Sequence, residues 1–496
     1  MMTLLSLVLS MRIFPFRFLL CWILIPVLIG ALVLPPRALC LTIGEERKIG
    51  HQLLFRIRAE LAVLDDPDIS RYINELGQEV LHTVGPQHFD YRFYVVRSDT
   101  FNAFAAPAGL VFFYSALIEN MRSEDELVSV LAHEIGHVVS RHIAQRMEKG
   151  TKVNLASLLL GMAGLAMGVP GLSQGLLLGS MAAGATMSLQ YSRENEEEAD
   201  RLSYGWMRKM GRDPRAMEDM LQTMRRISRY HMSGSVPQYL LTHPHPEARM
   251  GYVQSLLERD RLNQVPAPER TDNFAFLRFR YRVMMQSGDP ERVRIACINL
   301  LKRPADPETA EQHTMAHYGL ALAETANRRF DQALEHLAQV RAQYPGEEIL
   351  EVDRAVILIA AGRNREAREI LRQAVQRDPS DMYAVYQLAR VEQLAGDMQR
   401  AGQLLRRLAV AMPEFPGVYY ELGRLAVDQG QESLAGFYLG KYQLYLGRFR
   451  LAIASLTKSS KDPGLSEAMR YEAKELLDEL RELEIADPEK DRQQRT

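Results

Sequence analysis

The sequence is poor in cysteine and tryptophan and carries little net charge. Its 496 residues include 3 Cys and 2 Trp, and 60 Lys and Arg are balanced by 62 Asp and Glu. Without a basic excess there is no electrostatic basis for binding DNA or RNA, so no nucleic-acid partner is expected. With 47% hydrophobic and 25% charged residues, the composition is that of a globular protein. The chain is too long for one ordinary core, which predicts two or more domains.

Long apolar runs are confined to two places, and the first is the N-terminus. Two arginines precede an apolar run at 18–34, which ends at a Pro-Pro-Arg break and is followed by small residues at Ala38 and Cys40. This layout predicts a secretory signal peptide, residues 1–40, cleaved near Cys40; an uncleaved N-terminal anchor is the alternative. Cleavage would leave Cys297 as the single cysteine, so no intramolecular disulfide is expected.

The segment LAHEIGHVVS contains a His-Glu-x-x-His unit at His133, Glu134 and His137. Ser123 and Glu126 predict a reciprocal capping box at the start of a helix, and the apolar residues that follow predict that the helix is buried. Residues four apart project from one helix face, so the two imidazoles can bind one metal ion. The glutamate beside them is placed to act as a base toward a bound water.

A hydrolytic zinc site needs a third protein ligand, because two histidines alone do not complete it. The helical segment YSRENEEEADRLSYG, residues 191–205, is rich in carboxylates. Spacing alone leaves four candidates open: Glu194, Glu196, Glu197 and Glu198.

Strand signals lie just before the His-Glu helix. Residues 89–98 alternate and are rich in aromatic and β-branched side chains, and 101–105 and 110–114 are two further short candidates, separated by a Pro-Ala-Gly turn. Upstream, residues 43–61 and 69–81 have helical periodicity. A small sheet beside the metal site is therefore predicted within a mostly helical α+β domain.

The second apolar run covers residues 155–190 and has no charged side chain. A Val-Pro-Gly break at 169–171 divides it into two limbs of about 14 residues, each short for spanning a bilayer. We expect a buried helical hairpin that covers the active site. A hairpin in peripheral contact with the membrane and a true transmembrane pair are the alternatives.

A period of 34 residues runs through the C-terminal half of the chain. It is carried by five sets of residues: Pro345, Pro379 and Pro413; Ala333, Ala367, Ala401 and Ala435; Ala321, Ala355, Ala389 and Gly423; Tyr318, Val352, Tyr386 and Tyr420; Leu337, Leu371, Leu405 and Leu439. A 34-residue period with small residues twelve apart in each unit is the tetratricopeptide signature. Clear repeats are predicted at about 314–446 within an all-α solenoid at 273–482, followed by a charged tail at 487–496.

With these motifs the chain resembles the M48 zinc metallopeptidases, and among them the secreted branch with a tetratricopeptide tail. That family continues His-Glu-x-x-His with Glu-x-x-x-Asp, and Glu196 and Asp200 fit the second element. The resemblance implies one Zn²⁺ per chain, held by His133, His137 and Glu196. It also implies that Asp200 accepts a hydrogen bond from a ligand imidazole.

A third family element is Thr-His-Pro-x-Pro-x-x-Arg at 242–249, which the resemblance places near the active site. His243 could hydrogen-bond the oxyanion of the reaction, or could occupy the open metal position and switch the enzyme off. Arg249 could steady the carboxylate of a ligand or the substrate. His245 lies outside the pattern and is interpreted as an ordinary loop histidine.

The resemblance implies a zincin-like metallopeptidase domain at 41–264. Within it, an extended substrate could add to the edge strand at Asn102, Ala103 and Phe104, although Phe104 could equally be a core aromatic. In this catalytic unit Glu134 is the expected general base, with His243 and Arg249 assisting.

The function implied is an exported zinc endopeptidase of the Gram-negative periplasm that cleaves misfolded or misassembled proteins. The repeats would contact the outer-membrane β-barrel assembly machinery and give a chaperone-like role. One alternative is mainly a tetratricopeptide adaptor with a largely closed protease site. Another is an integral-membrane peptidase in which 155–190 spans the bilayer.

Overall fold

The computed structural model describes residues 42–149, 191–230, 238–306 and 309–482. The predicted signal peptide at 1–40, the apolar segment at 155–190 and the charged tail at 487–496 lie outside these residues. The described chain is mostly helical with one small sheet, so the predicted fold class is confirmed. The boundaries of the two predicted domains stay predictions.

The N-terminal part of the fold surrounds the sheet with helices. Its elements are α1 (Ile43–Glu60), α2 (Pro67–Val84), β1 (Arg92–Val96), β2 (Ala103–Ala106), β3 (Leu110–Tyr114), α3 (Ser115–Asn120), α4 (Glu124–Val139), α5 (His142–Lys149), α6 (Arg193–Lys209), α7 (Arg215–Tyr230), α8 (Gln238–Thr242) and α9 (Pro246–Leu262).

The three strands form a sheet in the order β1-β3-β2. β1 pairs with β3 in parallel, with Arg92 opposite Leu110, and β2 pairs with β3 in antiparallel fashion, with Ala103 opposite Phe113. The first strand is shorter than the alternating sequence predicted, since only five of those residues join the ladder. Within the described residues β2 is an edge strand, and it lies beside α4.

α4 is the central helix of this part, and nearly every one of its side chains is buried. Its N-cap is Ser123, whose hydroxyl accepts a hydrogen bond from the Glu126 amide at 3.3 Å, as predicted. The return half of the predicted capping box is wrong, because the Glu126 carboxylate accepts from the amide of Arg122 at 3.1 Å instead. The Glu126 carboxylate thus satisfies the backbone N–H of Arg122 in place of that of Ser123.

The repeat array consists of antiparallel helices stacked in pairs. Its elements are α10 (Phe274–Ser287), α11 (Pro290–Leu301), α12 (Ala310–Ala326), α13 (Phe330–Gln343), α14 (Ile349–Ala360), α15 (Asn364–Arg377), α16 (Met382–Leu394), α17 (Met398–Ala411), α18 (Pro416–Asp428), α19 (Glu432–Tyr445), α20 (Phe449–Ser459) and α21 (Glu467–Glu482).

The predicted register holds in the first three clear repeats, where the small residues and leucines of the pattern are fully buried between helices. Short side chains at these positions let neighbouring helices approach closely. The fourth unit departs from it, since Tyr420 is 49% exposed and Leu439 is 47% exposed. These two side chains line an open groove between α18 and α19, with a volume of about 330 Å³.

One hydrophobic core runs from the sheet and α4 into the first repeats. α10 connects the two, and its Phe276 and Phe279 are both buried in that core. Burying each aromatic side chain stabilises the fold by about 1.5–3 kcal/mol. At the far end of the array, Phe55 of α1 packs in the second core of the repeats. The repeat array therefore folds back onto the N-terminal part.

Buried charges join the same two parts. Arg278 of α10 donates to Asp68 of α2 at 2.7 Å and to both oxygens of Asp353 in α14 at 2.8 and 2.9 Å. Losing one member of such a buried pair typically costs about 3–5 kcal/mol, because the remaining charge is left uncompensated. Among the described residues, no helix combines the length and the apolar character that crossing a bilayer demands.

Candidate metal centre

The two histidines of the central helix face each other. The Nε2 atoms of His133 and His137 are 3.1 Å apart, and both side chains are buried. This follows from their four-residue spacing on α4, which stacks them on one face of the helix.

Close packing of α6 on α4 brings a carboxylate to this pair. Gly136 permits the approach, since a Cβ there would lie 3.3 Å from the Cα of Ala199. Glu196 is thereby placed with Oε1 3.4 Å from His137 Nε2 and Oε2 3.6 Å from His133 Nε2. Of the four carboxylates that spacing left open, Glu196 is the one the fold brings to both imidazoles; Glu194 and Glu197 are exposed.

His243, which directly follows α8, is the fourth member of the cluster. Its Nδ1 lies 3.0 Å from Glu196 Oε1 and 3.4 Å from His133 Nε2. One ligand atom from each of His133, His137, Glu196 and His243 falls within 4.8 Å of all the others. The side chain of His243 is therefore inside the cluster and not merely close to it.

Glu134 points into the same space. It is fully buried, and neither carboxylate oxygen has a hydrogen-bond partner among the described residues. Its Oε1 lies 3.5 Å from His243 Nε2. A buried carboxylate without partners is costly unless a ligand or reactant satisfies it, so this position is typical of a functional group.

Asp200 and Arg249 support the cluster from behind. Asp200 Oδ1 lies 2.9 Å from His133 Nδ1, on the ring edge opposite the cluster. Arg249 donates to both oxygens of Asp200, at 2.8 and 2.7 Å, and its Nη1 lies 2.9 Å from Glu196 Oε2. Burial alone would raise the pKa of Asp200, but the Arg249 guanidinium and His133 hold it below its ordinary value.

The charges in this pocket call for a cation. Three buried carboxylates, from Glu134, Glu196 and Asp200, outnumber the positive charges that face them, which are the Arg249 guanidinium and the proton that Asp200 and Glu196 favour on His133. Burial opposes a proton on both imidazoles. The pKa of His137 falls well below its usual value, mainly through burial, whereas the carboxylates of Asp200 and Glu196 raise that of His133 to about 9.

The spacing of the donor atoms also suits a metal ion. Nitrogen and oxygen ligands about 2.0–2.1 Å from a tetrahedral ion lie roughly 3.4 Å from each other. Here the two Nε2 atoms are 3.1 Å apart, Glu196 Oε1 is 3.4 Å from His137 Nε2, and Glu196 Oε2 is 3.6 Å from His133 Nε2. The residues present therefore fit a divalent metal of the kind bound by imidazole and carboxylate.

The predicted substrate strand lies at the sheet edge beside this pocket. Ala103 and Phe104 begin β2, and Asn102 precedes it, buried, with its carbonyl accepting from the Tyr114 amide at 3.0 Å. The ring of Phe104 stacks on Phe112 at 4.9 Å between centroids. The Phe104 side chain thus packs within the sheet, so a substrate at this edge would pair with the backbone of β2.

Two tyrosines at the site are missing from the sequence interpretation. Tyr191 stacks on His137 with centroids 3.7 Å apart, and Tyr239 stacks on His243 at 4.3 Å. Tyr239 precedes His243 by four residues, which is a helical spacing that could have identified it. Tyr191 precedes the N-cap of α6 and has no comparable local signal.

Family models match both parts of the chain. The model of peptidase family M48 matches residues 67–257, and a tetratricopeptide repeat model matches residues 324–391 and 358–411. The first match contains α4, α6 and the segment with His243, and the second lies in the middle of the repeat array. The resemblance inferred from the motifs is confirmed.

Curated relatives extend over nearly the whole chain. The beta-barrel assembly-enhancing protease of Yersinia pestis is 30% identical over 455 residues, which is 89% of this chain and 90% of that protein. Its namesake in Escherichia coli (strain K12) is 29% identical over 458 residues, 90% and 89% of the two chains. The human mitochondrial metalloendopeptidase OMA1 is 31% identical over 179 residues, 35% of this chain and 33% of that protein.

Solved structures that are similar include PilW, described as a widely conserved type IV pilus biogenesis factor. It has 20% sequence identity and a TM-score of 0.29, and the match covers 38% of this chain and 94% of PilW.

Proposed function

Because the chain belongs to peptidase family M48, we propose that it is an exported zinc-dependent endopeptidase that cleaves misfolded or misassembled envelope proteins. The observation that carries the proposal is the convergence of His133, His137 and Glu196 in a buried pocket, with the unpartnered carboxylate of Glu134 beside them. The chain is a metallopeptidase with tetratricopeptide repeats; zinc, the residue roles and the substrates are the proposed parts.

In this proposal the two imidazoles use Nε2 and Glu196 uses its carboxylate to hold the metal. Zinc held there would supply a Lewis acid for the scissile carbonyl and would make a water in the open position more acidic. Glu134 accepts the proton of that water and later delivers it to the leaving amine. Asp200 holds the proton of His133 on Nδ1, which leaves Nε2 free to bind.

We assign Arg249 to the carboxylates of this chain and not to the substrate. Its guanidinium is engaged by Asp200 and Glu196, which leaves little capacity for a further anion. The ion pair with Arg249 keeps Glu196 ionised and oriented. Burial alone would raise the pKa of Glu196, but the Arg249 guanidinium and the hydrogen bonds with His133 and His137 hold it well below its ordinary value.

His243 is proposed to close the site. Its Nδ1 already lies among the ligand atoms, 3.0 Å from Glu196 Oε1 and 3.4 Å from His133 Nε2, and these spacings suit a fourth ligand of the same ion. With His243 there, the open position needed by a hydrolytic metal is filled. Opening would require the short segment around α8 to withdraw, so substrate access and catalysis are controlled by the same side chain.

Substrate is proposed to extend the sheet at β2. The Asn102 carbonyl accepts from Tyr114, so even-numbered residues of this strand direct their backbone groups toward β3. In an antiparallel ladder the intervening residues direct theirs the other way, which leaves Ala103 and Ala105 to pair with an extended peptide. Backbone pairing of this kind selects unfolded segments with little regard to sequence.

The relatives named for β-barrel assembly motivate the cellular part of the proposal. We place the protein in the periplasm of a Gram-negative bacterium, with its repeats contacting unfolded client proteins or the outer-membrane β-barrel assembly machinery. Stacked repeats form an extended concave surface that suits such partners. An adaptor that is mostly closed as a protease is the second candidate, and the position of His243 inside the cluster favours it.

The test combines metal analysis with proteolysis. Purified full-length protein is expected to contain one zinc per chain and to cleave a permanently unfolded protein but not its folded form, and His137→Ala should lose both the zinc and the cleavage. Zinc-loaded protein that binds unfolded clients without cleaving them, even when His243 is replaced, would support the adaptor function instead. Release by alkaline extraction would count against the integral-membrane alternative.

A further inference from the structure

A third histidine lies directly behind the candidate ligand His137. α4 ends at Val139, and α5 begins at His142. Between them Arg141 has a left-handed backbone, with φ 51°, and its guanidinium donates to the buried Glu46 carboxylate at 2.9 Å. Residues five apart on a continuous helix point in different directions, so this break is what turns the His142 ring back onto His137.

The contacts of His142 form a chain that leads away from the metal pocket. Its Nδ1 lies 2.9 Å from His137 Nδ1, and its Nε2 lies 3.3 Å from Glu198 Oε2. The His142 side chain is 1% exposed, whereas the Glu198 side chain is 45% exposed and reaches solvent. Glu198 is on α6, two residues after Glu196, so one helix supplies carboxylates to both sides of His137.

The direction of each hydrogen bond follows from the role of His137. If its Nε2 binds the metal, the neutral ring must carry its proton on Nδ1. That N–H can then donate to His142 Nδ1, which must be an unprotonated acceptor. The proton of neutral His142 is therefore on Nε2, where it donates to the Glu198 carboxylate. One arrangement of protons therefore gives an acceptor to each of the two N–H donors along the hydrogen bonds from His137 through His142 to Glu198.

From this geometry we infer that His142, held in one tautomer by Glu198, is a positioning residue for the metal ligand His137. It fixes the ring orientation of His137 and keeps Nε2 available to the ion. The inference rests on the proposed function, in that His137 must be a ligand. Asp200 has the equivalent place behind His133, but there the acceptor is a carboxylate at 2.9 Å.

The difference between the two supports has a consequence for affinity. His133 donates to the charged carboxylate of Asp200. His137 donates to the neutral imidazole of His142, and the carboxylate of Glu198 contacts only the far side of that imidazole. Hydrogen bonds to charged acceptors are roughly twice as strong as neutral ones. His137 is thus the less tightly oriented ligand, and its support can be changed from the protein surface through Glu198.

The test measures metal affinity in two His142 variants. In His142→Leu the Nδ1–H of His137 is buried without an acceptor, and Zn²⁺ and Co²⁺ affinities, measured by competition with a chelator, are expected to fall about 10–100-fold. In His142→Asn the side-chain oxygen takes the place of Nδ1, so affinity should recover to within about threefold of the parent. A packing role predicts the opposite order, since leucine fills an apolar space better than asparagine.

A second pair of variants tests the tautomer. In Glu198→Lys the new ammonium group would donate to His142 Nε2, which moves the proton of His142 onto its Nδ1. The Nδ1–H groups of His142 and His137 would then face each other. Glu198→Lys is therefore expected to lower metal affinity more than Glu197→Lys, which makes the same charge change one residue away on the exposed surface. Equal effects of the two lysines would overturn the inference.

The Co²⁺ absorption spectrum and His137→Ala separate the inference from the proposed function. A His137→Ala protein that keeps full metal affinity would refute the ligand assignment itself. If His137→Ala loses the metal but His142→Leu keeps both parental affinity and the parental Co²⁺ spectrum, only the positioning role of His142 is refuted. Circular dichroism of each variant confirms that it is folded.

Discussion

Glu134 Oε1 and His243 Nε2 lie 3.5 Å apart in the buried centre, and among the described residues neither atom has a hydrogen-bond partner. The proposed base thus faces the side chain that is the fourth member of the cluster. A water placed for attack would need the space between them. In the proposed closed state, His243 would therefore keep the base from its reactant as well as occupy a ligand position.

Replacing His243 should release the enzyme. In His243→Ala we expect cleavage of an unfolded substrate to rise several-fold at unchanged zinc content, because the fourth position becomes open. The exposed His245 is two residues away and provides the control variant His245→Asn, which should behave as the parent. If His243→Ala instead loses activity while retaining zinc, the imidazole serves the oxyanion and not the closed state.

Replacing Glu134 should separate metal binding from chemistry. Glu134→Gln keeps the size of the side chain but cannot accept a proton, so turnover is expected to fall at least about 10²-fold, with zinc content and melting temperature preserved. Single-turnover cleavage measures the loss, and Glu258→Gln, at an exposed position on α9, is the matched control. Turnover near the parental rate in Glu134→Gln would remove Glu134 from the mechanism.

The buried carboxyl of Glu126 should make stability depend on pH. Burial is the main reason that its pKa is raised from 4.5 to about 7, although the Arg122 amide opposes the rise. Between these pH values the unfolded chain has lost this proton and the folded chain keeps it, so the free energy of unfolding falls as pH rises. Full ionisation at higher pH costs about 3 kcal/mol, since each pKa unit corresponds to about 1.4 kcal/mol.

Glu126→Gln removes this titration while keeping an oxygen that can accept from the Arg122 amide. The variant should gain stability over the parent as pH increases from about 4.5 to 7, and the gain should be constant above that range. Melting temperatures of both proteins across this pH series provide the measurement. A difference that does not change with pH would show that Glu126 has the same protonation in the folded and unfolded states.

Backbone pairing at β2 should be visible in the substrate. If Ala103 and Ala105 pair with an extended peptide, N-methylation of alternate substrate residues removes hydrogen bonds, each worth about 1 kcal/mol, or roughly fivefold in kcat/KM. Methylation at the intervening residues should have little effect. A scan of singly N-methylated peptides is therefore expected to show a period of two. Uniform sensitivity along the peptide would contradict strand addition.

Local spacing predicted the central helix and most of the repeat array, because both depend on residues within one or two turns. The choice of Glu196 among four carboxylates could not follow from spacing. It depends on how α6 packs against α4 at Gly136 and Ala199, which is a contact between distant segments. Here the Glu-x-x-x-Asp motif of the family identified Glu196, which local spacing left undecided.

Other features could not be predicted from the sequence, because they also depend on tertiary packing. His142 reaches His137 only because the helix breaks at Arg141, whose left-handed backbone is stabilised by a distant glutamate. The Glu126 carboxylate bonds to Arg122 and not to Ser123, a choice of side-chain direction inside a packed interior. The exposure of Leu439 depends on which helices cover the last repeat, although its sequence register is regular.

The continuous core through α10 has a consequence for how the protein unfolds. Phe276 and Phe279 pack into the core that also contains the sheet and α4. Cutting the chain before α10 would expose that surface, so a catalytic fragment ending at residue 264 should aggregate or melt early. The two parts are then not interchangeable modules. Because they share one core, the two parts are expected to unfold together, and a substitution that loosens α10 should also lower the stability of α4.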